Sequence, residues 1–324
     1  MASGEHGNVA SAMAYVELKD VSKDYLSGVC LVDEESSQLI VSSWDGTASL
    51  YDWEKNKRMG RLSHEWPLTS IAVCTGTRRA YVGSAQGEVL ELDWESERMV
   101  AVQGLQCGLG ISAMGSYGQF VVVGSWDGSL EVVDTRRNSV RLIRRLAGKI
   151  LSLDCGATRV VCMTTDGVYV FRTSDIDAAP ERRESGLKYQ SRCVRLVPDE
   201  EGYVQSSVDG RVAVEYFGDE GRKFAFRCHR MNLKDTQLVF PVNALCFHPK
   251  TALLYTGGSD GRVFAWNLTT RKKAEELPKV EDSVVKLCCN RRALVIAASD
   301  DTFKTSAVVE DIALQHSRVY VKVF

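Results

Sequence analysis

The chain has 324 residues, with 40 Lys+Arg against 42 Asp+Glu, 44% hydrophobic and 25% charged residues. That balance excludes a disordered chain and makes no global electrostatic case for nucleic acid or an anionic membrane. The longest uninterrupted apolar run, Ala293 to Ala298, is six residues, far short of the ~20 that a membrane-spanning helix needs.

Taken in chain order, residues 1–13 read as a flexible leader. Met1-Ala2-Ser3-Gly4-Glu5-His6 has neither a basic nor an apolar region of the secretory type, so nucleus or cytosol is expected. Ala14-Tyr15-Val16-Glu17-Leu18 is the first strand candidate. A small-residue turn then recurs: Ser42-Ser43-Trp44-Asp45-Gly46, Gly83-Ser84-Ala85-Gln86-Gly87, Gly124-Ser125-Trp126-Asp127-Gly128 and Thr164-Thr165-Asp166-Gly167. It continues as Ser206-Ser207-Val208-Asp209-Gly210, Gly257-Gly258-Ser259-Asp260-Gly261 and, degenerate, Ala298-Ser299-Asp300-Asp301. Strand-like runs flank the copies, such as Phe120–Val123 before the third and Leu130–Val133 after it. Asp-Gly between such runs predicts hairpins, of type I′ because both residues tolerate positive φ.

The turns recur at steps of 41, 41, 39, 43, 51 and 40 residues, and seven copies at this period match WD repeats, each a four-stranded blade. Helical periodicity is nowhere sustained for three turns. The chain therefore reads as all-β, a single seven-bladed WD-repeat β-propeller over residues 14–324. An isolated blade cannot bury both faces, and a closed ring removes exposed edges. Tyr15 to Leu18 is expected to pair with the seventh blade, to which the last run, Arg318 to Phe324, also belongs. The step of 51 inserts extra residues around Phe217 to Phe240. The repeats are degenerate, because Trp-Asp survives only as Trp266-Asn267, with Asp alone at Asp52, Asp93 and Asp134, and Gly-His at best as Cys228-His229.

There is no GxxxxGK[ST], HExxH or GxSxG pattern, and the five histidines share no ligand spacing. His229 reads as a hydrogen-bonded structural residue. Ten cysteines, without a CxxC, sit in apolar segments and read as buried reduced thiols, Cys193 and Cys228 in the core. Neither catalysis, a metal nor an organic cofactor is expected.

Blade 5 carries a charge pattern. Arg211 opens its third strand directly after a turn, and Arg227 lies near the end of its fourth. If Arg211–Phe217 and Lys223–His229 pair around the loop between them, Arg211 faces His229 and Arg227 faces Ala213, two residues apart on one hairpin. Two convergent guanidinium forks suit a dianionic phosphate and would otherwise repel. Lys188 and Arg192 enter the same blade from the same end. Trp44 fills the variable slot before an Asp-Gly turn, where pattern alone leaves packing and an exposed contact open. Trp126 has the same pattern and is read as structural.

Three segments depart from generic blade sequence: Arg182 to Cys193, Asp209 to Phe217 and Lys223 to Arg230. Together they resemble the mitotic spindle-assembly-checkpoint WD-repeat family, the third of the "budding uninhibited by benzimidazole" group. Met231-Asn232-Leu233-Lys234-Asp235-Thr236 and Asp300-Asp301-Thr302-Phe303-Lys304 look like its fungal branch. A sister family, the nuclear-pore-associated messenger-RNA export propeller, shares Lys-Tyr-Gln, Gly-Arg-Val-Ala and Cys-His-Arg, whereas Glu215 and the Lys-Asp-Thr stretch favour the checkpoint family. The resemblance implies a non-catalytic nuclear and kinetochore adaptor, a monomeric propeller within hetero-complexes. It implies binding of the GLEBS motif of checkpoint kinases and related proteins, carried here by Lys188 and Arg192. It also implies recognition of phosphorylated Met-Glu-Leu-Thr repeats on a kinetochore scaffold by Arg211, Arg227 and Trp44. The sister family implies instead an export propeller binding a nucleoporin GLEBS motif. No direct nucleic-acid or membrane contact is expected.

Overall fold

The computed structural model describes residues 15–301 and 316–324. The leader expected over residues 1–13, Ala14, and Thr302 to Lys304 lie outside them. Seven four-stranded antiparallel sheets form the seven blades of a β-propeller. Blade 1 comprises Leu26–Leu31, Gln38–Ser43, Thr47–Asp52 and Lys57–Ser63, and blades 2 to 6 repeat this order outward from the inner strand. In each blade the second strand is almost wholly buried, the inner strands mix buried and half-buried residues, and outer strands such as Ser139–Arg145 alternate between exposed and half-buried. A period of two on the outermost strand is what a sheet edge facing solvent on one side requires.

The seventh blade is assembled from both chain ends. Its strands Ser283–Cys289, Ala293–Ser299 and Arg318–Val323 are completed by Val16–Glu17. Val16 pairs with Val321, Glu17 with Tyr320, and the Leu18 N–H donates to the Val319 carbonyl at 2.9 Å. Among the described residues the only helical element is a single 3-10 turn, Glu220–Arg222. The insertion between the fifth and sixth turns holds that turn and a separate two-stranded hairpin, Arg230–Asn232 with Gln237–Val239.

The recurrent turns differ from the expected type I′. Gly46, Gly87, Gly128, Gly210 and Gly261 have φ between 65° and 89°, while none of the Asp residues before them is left-handed. The loop is three residues long, and its last residue takes the left-handed conformation, as in a type I turn closed by a G1 bulge. The Asp carboxylate instead accepts a hydrogen bond from a backbone N–H two residues on, Thr47 to Asp45 at 3.0 Å and Ser129 to Asp127 at 2.8 Å. A side chain at Gly46 would place Cβ 2.3 Å from the His64 carbonyl oxygen, so both φ and space demand glycine.

The surviving repeat residues do structural work. Asp52 and Asp93 each end a third strand and accept two backbone N–H groups of the following turn. In blade 6, His229 Nδ1 lies 2.8 Å from Asp260, its Nε2 lies 3.0 Å from Thr256 Oγ1, and Trp266 Nε1 donates to the same oxygen at 3.1 Å. His229 and Asp260 are both buried there. All ten cysteines are free thiols, Cys193 and Cys228 in the core of blades 5 and 6.

Candidate functional site

The inner strand of every blade carries a β-bulge at its first turn of pairing. An extra residue at a bulge is left unpaired and its side chain is re-aimed. In blades 1, 5 and 6 the bulged residues are Ser27, Arg192 and Asn243, which line a cavity of ≈ 300 Å³ at one mouth of the central channel. Trp44, Trp126, Gln190 and Lys286 line it too. The turns between second and third strands therefore open on the same end as the entries of the inner strands.

Trp44 is 38% exposed, its ring 4.9 Å from that of Tyr25, and its N–H donates to the Tyr25 carbonyl. The turn beneath it is braced by Asp45, which accepts from Ser22 Oγ at 2.8 Å and from Thr47. Burial alone would raise the Asp45 pKa, but hydrogen bonds from Thr47, Ser22 and Ser43 hold it below the usual carboxylate value. Trp126 is exposed to the same 38%. Its indole covers Gly110, where an added Cβ would lie 2.7 Å from the ring. The structural reading of Trp126 is thus incomplete, since one face packs and the other looks into the mouth. The identical Ser-Trp-Asp-Gly turn shared with Trp44 was the signal for it.

Arg192 is half-buried, and its Nη2 donates to Asn243 Oδ1 at 2.9 Å. Lys188 is exposed, four residues earlier, with its ammonium 5.8 Å from the Tyr189 ring centroid. Arg211 is the first residue of the third strand of blade 5 and Arg227 the last of the fourth. The register differs from the expected one, because Arg211 pairs directly with Arg227 and Val212 with Phe226. The ladder ends there, since Cys228 donates to Gly210 and His229, at φ 49°, turns its ring into blade 6. Across the pair, Cβ atoms of directly opposed residues lie about 4.5–5.5 Å apart, a spacing at which like charges destabilise a sheet. Arg211 Nε lies 2.9 Å from Asp209 Oδ2, whereas Arg227 is exposed and has no ion-pair partner among the described residues. Sequence reasoning missed Arg230, which donates to the Asp209 carbonyl at 2.7 Å and so fixes the turn that presents Arg211.

The structure thus brings Trp44 and Arg192 together at the channel mouth and joins Arg211 to Arg227 on blade 5. The two arginines do not line the cavity that contains Trp44.

These features define a WD-repeat β-propeller in architecture. The family model described as "WD domain, G-beta repeat" matches residues 234–267, the blade that retains the Thr256, Asp260 and Trp266 network. Two solved structures share the fold: "Crystal structure of RRP9 WD40 repeats" (TM-score 0.80, 14% identity, 96% and 97% of the two chains) and "Structure of U3-55K" (0.78, 15%, 95% and 98%). Among curated proteins, mitotic checkpoint protein bub3 of Dictyostelium discoideum is 30% identical, covering 90% of each chain. Mitotic checkpoint protein BUB3.1 of Arabidopsis thaliana is 31% identical over 89% of this chain and 87% of the relative. The poly(A)+ RNA export protein of Schizosaccharomyces pombe is 24% identical over 87% and 82%. The chain belongs to the bub3 family of mitotic checkpoint proteins.

Proposed function

We propose that this checkpoint protein is a non-catalytic adaptor that reads phosphorylated Met-Glu-Leu-Thr repeats of a kinetochore scaffold and holds the GLEBS motif of a checkpoint kinase or related protein. The observation that carries it is the Arg211–Arg227 cross-strand pair. Two permanent cations set opposite each other, one without a carboxylate partner among the described residues, are costly to the free protein and suited to a dianion. Trp44 supplies apolar area for the rest of the peptide, and Arg192 with Lys188 supplies charge for an acidic GLEBS segment at the channel mouth. The propeller would act as a monomer within nuclear and kinetochore hetero-complexes. Titrating phosphorylated and unphosphorylated Met-Glu-Leu-Thr peptides against the protein tests this reading, which fails if the phosphate brings no preference.

Similarity to the poly(A)+ RNA export protein favours a second reading, a propeller that binds a nucleoporin GLEBS motif. Side-by-side pulldowns with checkpoint-kinase and nucleoporin GLEBS fragments separate the two: the first reading expects the kinase fragment to be retained preferentially.

A further inference from the structure

Beneath the mouth, the channel continues into a second cavity of ≈ 100 Å³. Ser27, Ser112, Leu151, Arg192, Asn243 and Lys286 line both cavities, so they form one path. Arg195 lines the inner one. Three basic side chains therefore face the channel from the inner strands of blades 5 and 7, and no Asp or Glu among the described residues lines either cavity. Asp154, whose carboxylate bears on Arg195, is already engaged by the Leu196 N–H at 2.8 Å.

Lys286 interrupts the buried run Val284-Val285-Lys286-Leu287. Its ammonium has no hydrogen-bond or ion-pair partner among the described residues, unlike Arg192, which donates to Asn243, and Arg195, which donates to the Val194 carbonyl at 2.8 Å. Burial above all, with repulsion from Arg195 and Arg192 adding to it, holds its pKa below the ordinary lysine value. The serine hydroxyls nearby do not relieve it: Ser27 is bonded to Ser42, and Ser112 to the Gly124 carbonyl. Lys286 is itself half-buried, and an unpaired cation partly withdrawn from water beside two others is unfavourable unless an anion joins it.

We propose that the central channel binds a small multiply charged oxyanion of the phosphate class between Lys286, Arg192 and Arg195, tying blade 5 to blade 7. The site is separate from the Arg211–Arg227 pair and does not rest on the phosphopeptide reading. A dianion suits it better than a monocarboxylate because three cations converge without a competing carboxylate.

The test uses the full chain carrying R211A and R227A, so that phosphate can act only elsewhere. Inorganic phosphate is titrated by calorimetry at constant ionic strength, with acetate as the monoanion control, and the thermal midpoint is read with and without phosphate. Saturable phosphate binding that raises the midpoint is expected, with acetate at least tenfold weaker. In Lys286→Met, phosphate affinity should fall at least tenfold, while the midpoint in phosphate-free buffer stays equal or rises because an unpaired, half-buried charge is gone. Lys286→Arg should retain binding. Absence of phosphate binding, or equal binding by Lys286→Met, would overturn the proposal. A midpoint that falls in Lys286→Met without phosphate would do so as well, since it would make the lysine a stabilising part of the empty channel.

Discussion

At the scale of single residues, Arg211 and Arg227 are not equivalent although they face each other. Arg211 is tied to Asp209 at 2.9 Å, and Arg227 is free of any ion pair among the described residues. Charge-assisted hydrogen bonds contribute about 1.5–3 kcal/mol each, and every ~1.4 kcal/mol is tenfold in affinity. Replacing either by Ala should therefore weaken binding of a phosphorylated Met-Glu-Leu-Thr peptide by roughly ten- to hundredfold, with little change for the unphosphorylated form. Stability should separate them: Arg227→Ala leaves the thermal midpoint unchanged or higher, because it removes a like-charge neighbour. Trp44→Ala should weaken both peptide forms equally, since a stacked aromatic acts through area and not phosphate charge. Fluorescence titrations of the three variants, paired with melts, check these outcomes; a phosphate preference surviving Arg211→Ala would remove that residue from the site.

At the scale of elements, the Asp residues of the turns hold the hairpins. Hydrogen bonds from Thr47 and Ser22, outweighing burial, lower the pKa of Asp45; backbone N–H groups of Ser129 and Gly108 do so for Asp127, and Arg182 for Asp166. A folded-state pKa below the unfolded value of about 3.9 contributes stability that is present above that value and lost as the pH falls through the folded one. Burial raises Glu131, Asp154 and Asp282 instead, so these favour the fold as pH falls toward 5. Burial lowers the pKa of His248, so its contribution falls as pH drops through about 6.5 and offsets these carboxylates. The thermal midpoint should accordingly be nearly level from pH 7 to about 5 and fall below about 4. A steep decline complete by pH 5 would contradict this assignment. Blade 6 makes a second claim. His229→Ala removes one partner each from Asp260 and Thr256, which keep only the Arg262 N–H and the Trp266 indole N–H, and each lost partner of a buried polar group costs about 1–3 kcal/mol. A loss of about 2–4 kcal/mol in urea unfolding is expected, and a loss under 0.5 kcal/mol would mean that the network is incidental.

These elements also mark what could be read from the residues alone. The turn period identified the blades because glycine at each left-handed position is a local backbone demand. The turn type was misread because the third loop residue, not Asp, absorbs the positive φ. The blade 5 arginines were legible as neighbours but two residues out of register, since where the ladder ends depends on His229 bonding into the next blade. Lys286 and Arg195 were illegible as a pair because only ring closure brings inner strands of blades 5 and 7 to one channel.

At the scale of the whole molecule, stability turns on how the ring is closed. The outermost strand of blade 7 is only Val16–Glu17, yet it covers the edge of Arg318–Val323. Leu18 beside it is 5% exposed within a core cluster that joins blades 7 and 1. Tyr15 packs at a tilt against Tyr320, ring centroids 5.7 Å apart, and donates to the Pro278 carbonyl at 2.9 Å. Two effects are therefore superposed, burial of side chains and protection of a strand edge, and two variants separate them. Leu18→Ala removes core volume while leaving the edge paired, so it should cost about 2–5 kcal/mol with a monodisperse protein. Deleting residues 1–18 removes both and leaves the six-residue strand Arg318–Val323 with unpaired N–H and C=O groups, a template for another chain. The deletion should lower the midpoint further than Leu18→Ala and also self-associate, read by light scattering after size exclusion. Association by the deletion variant at equal loss of stability would assign the strand mainly to edge protection. A deletion variant as stable and as monodisperse as the parent would mean that the propeller closes without its N-terminal strand.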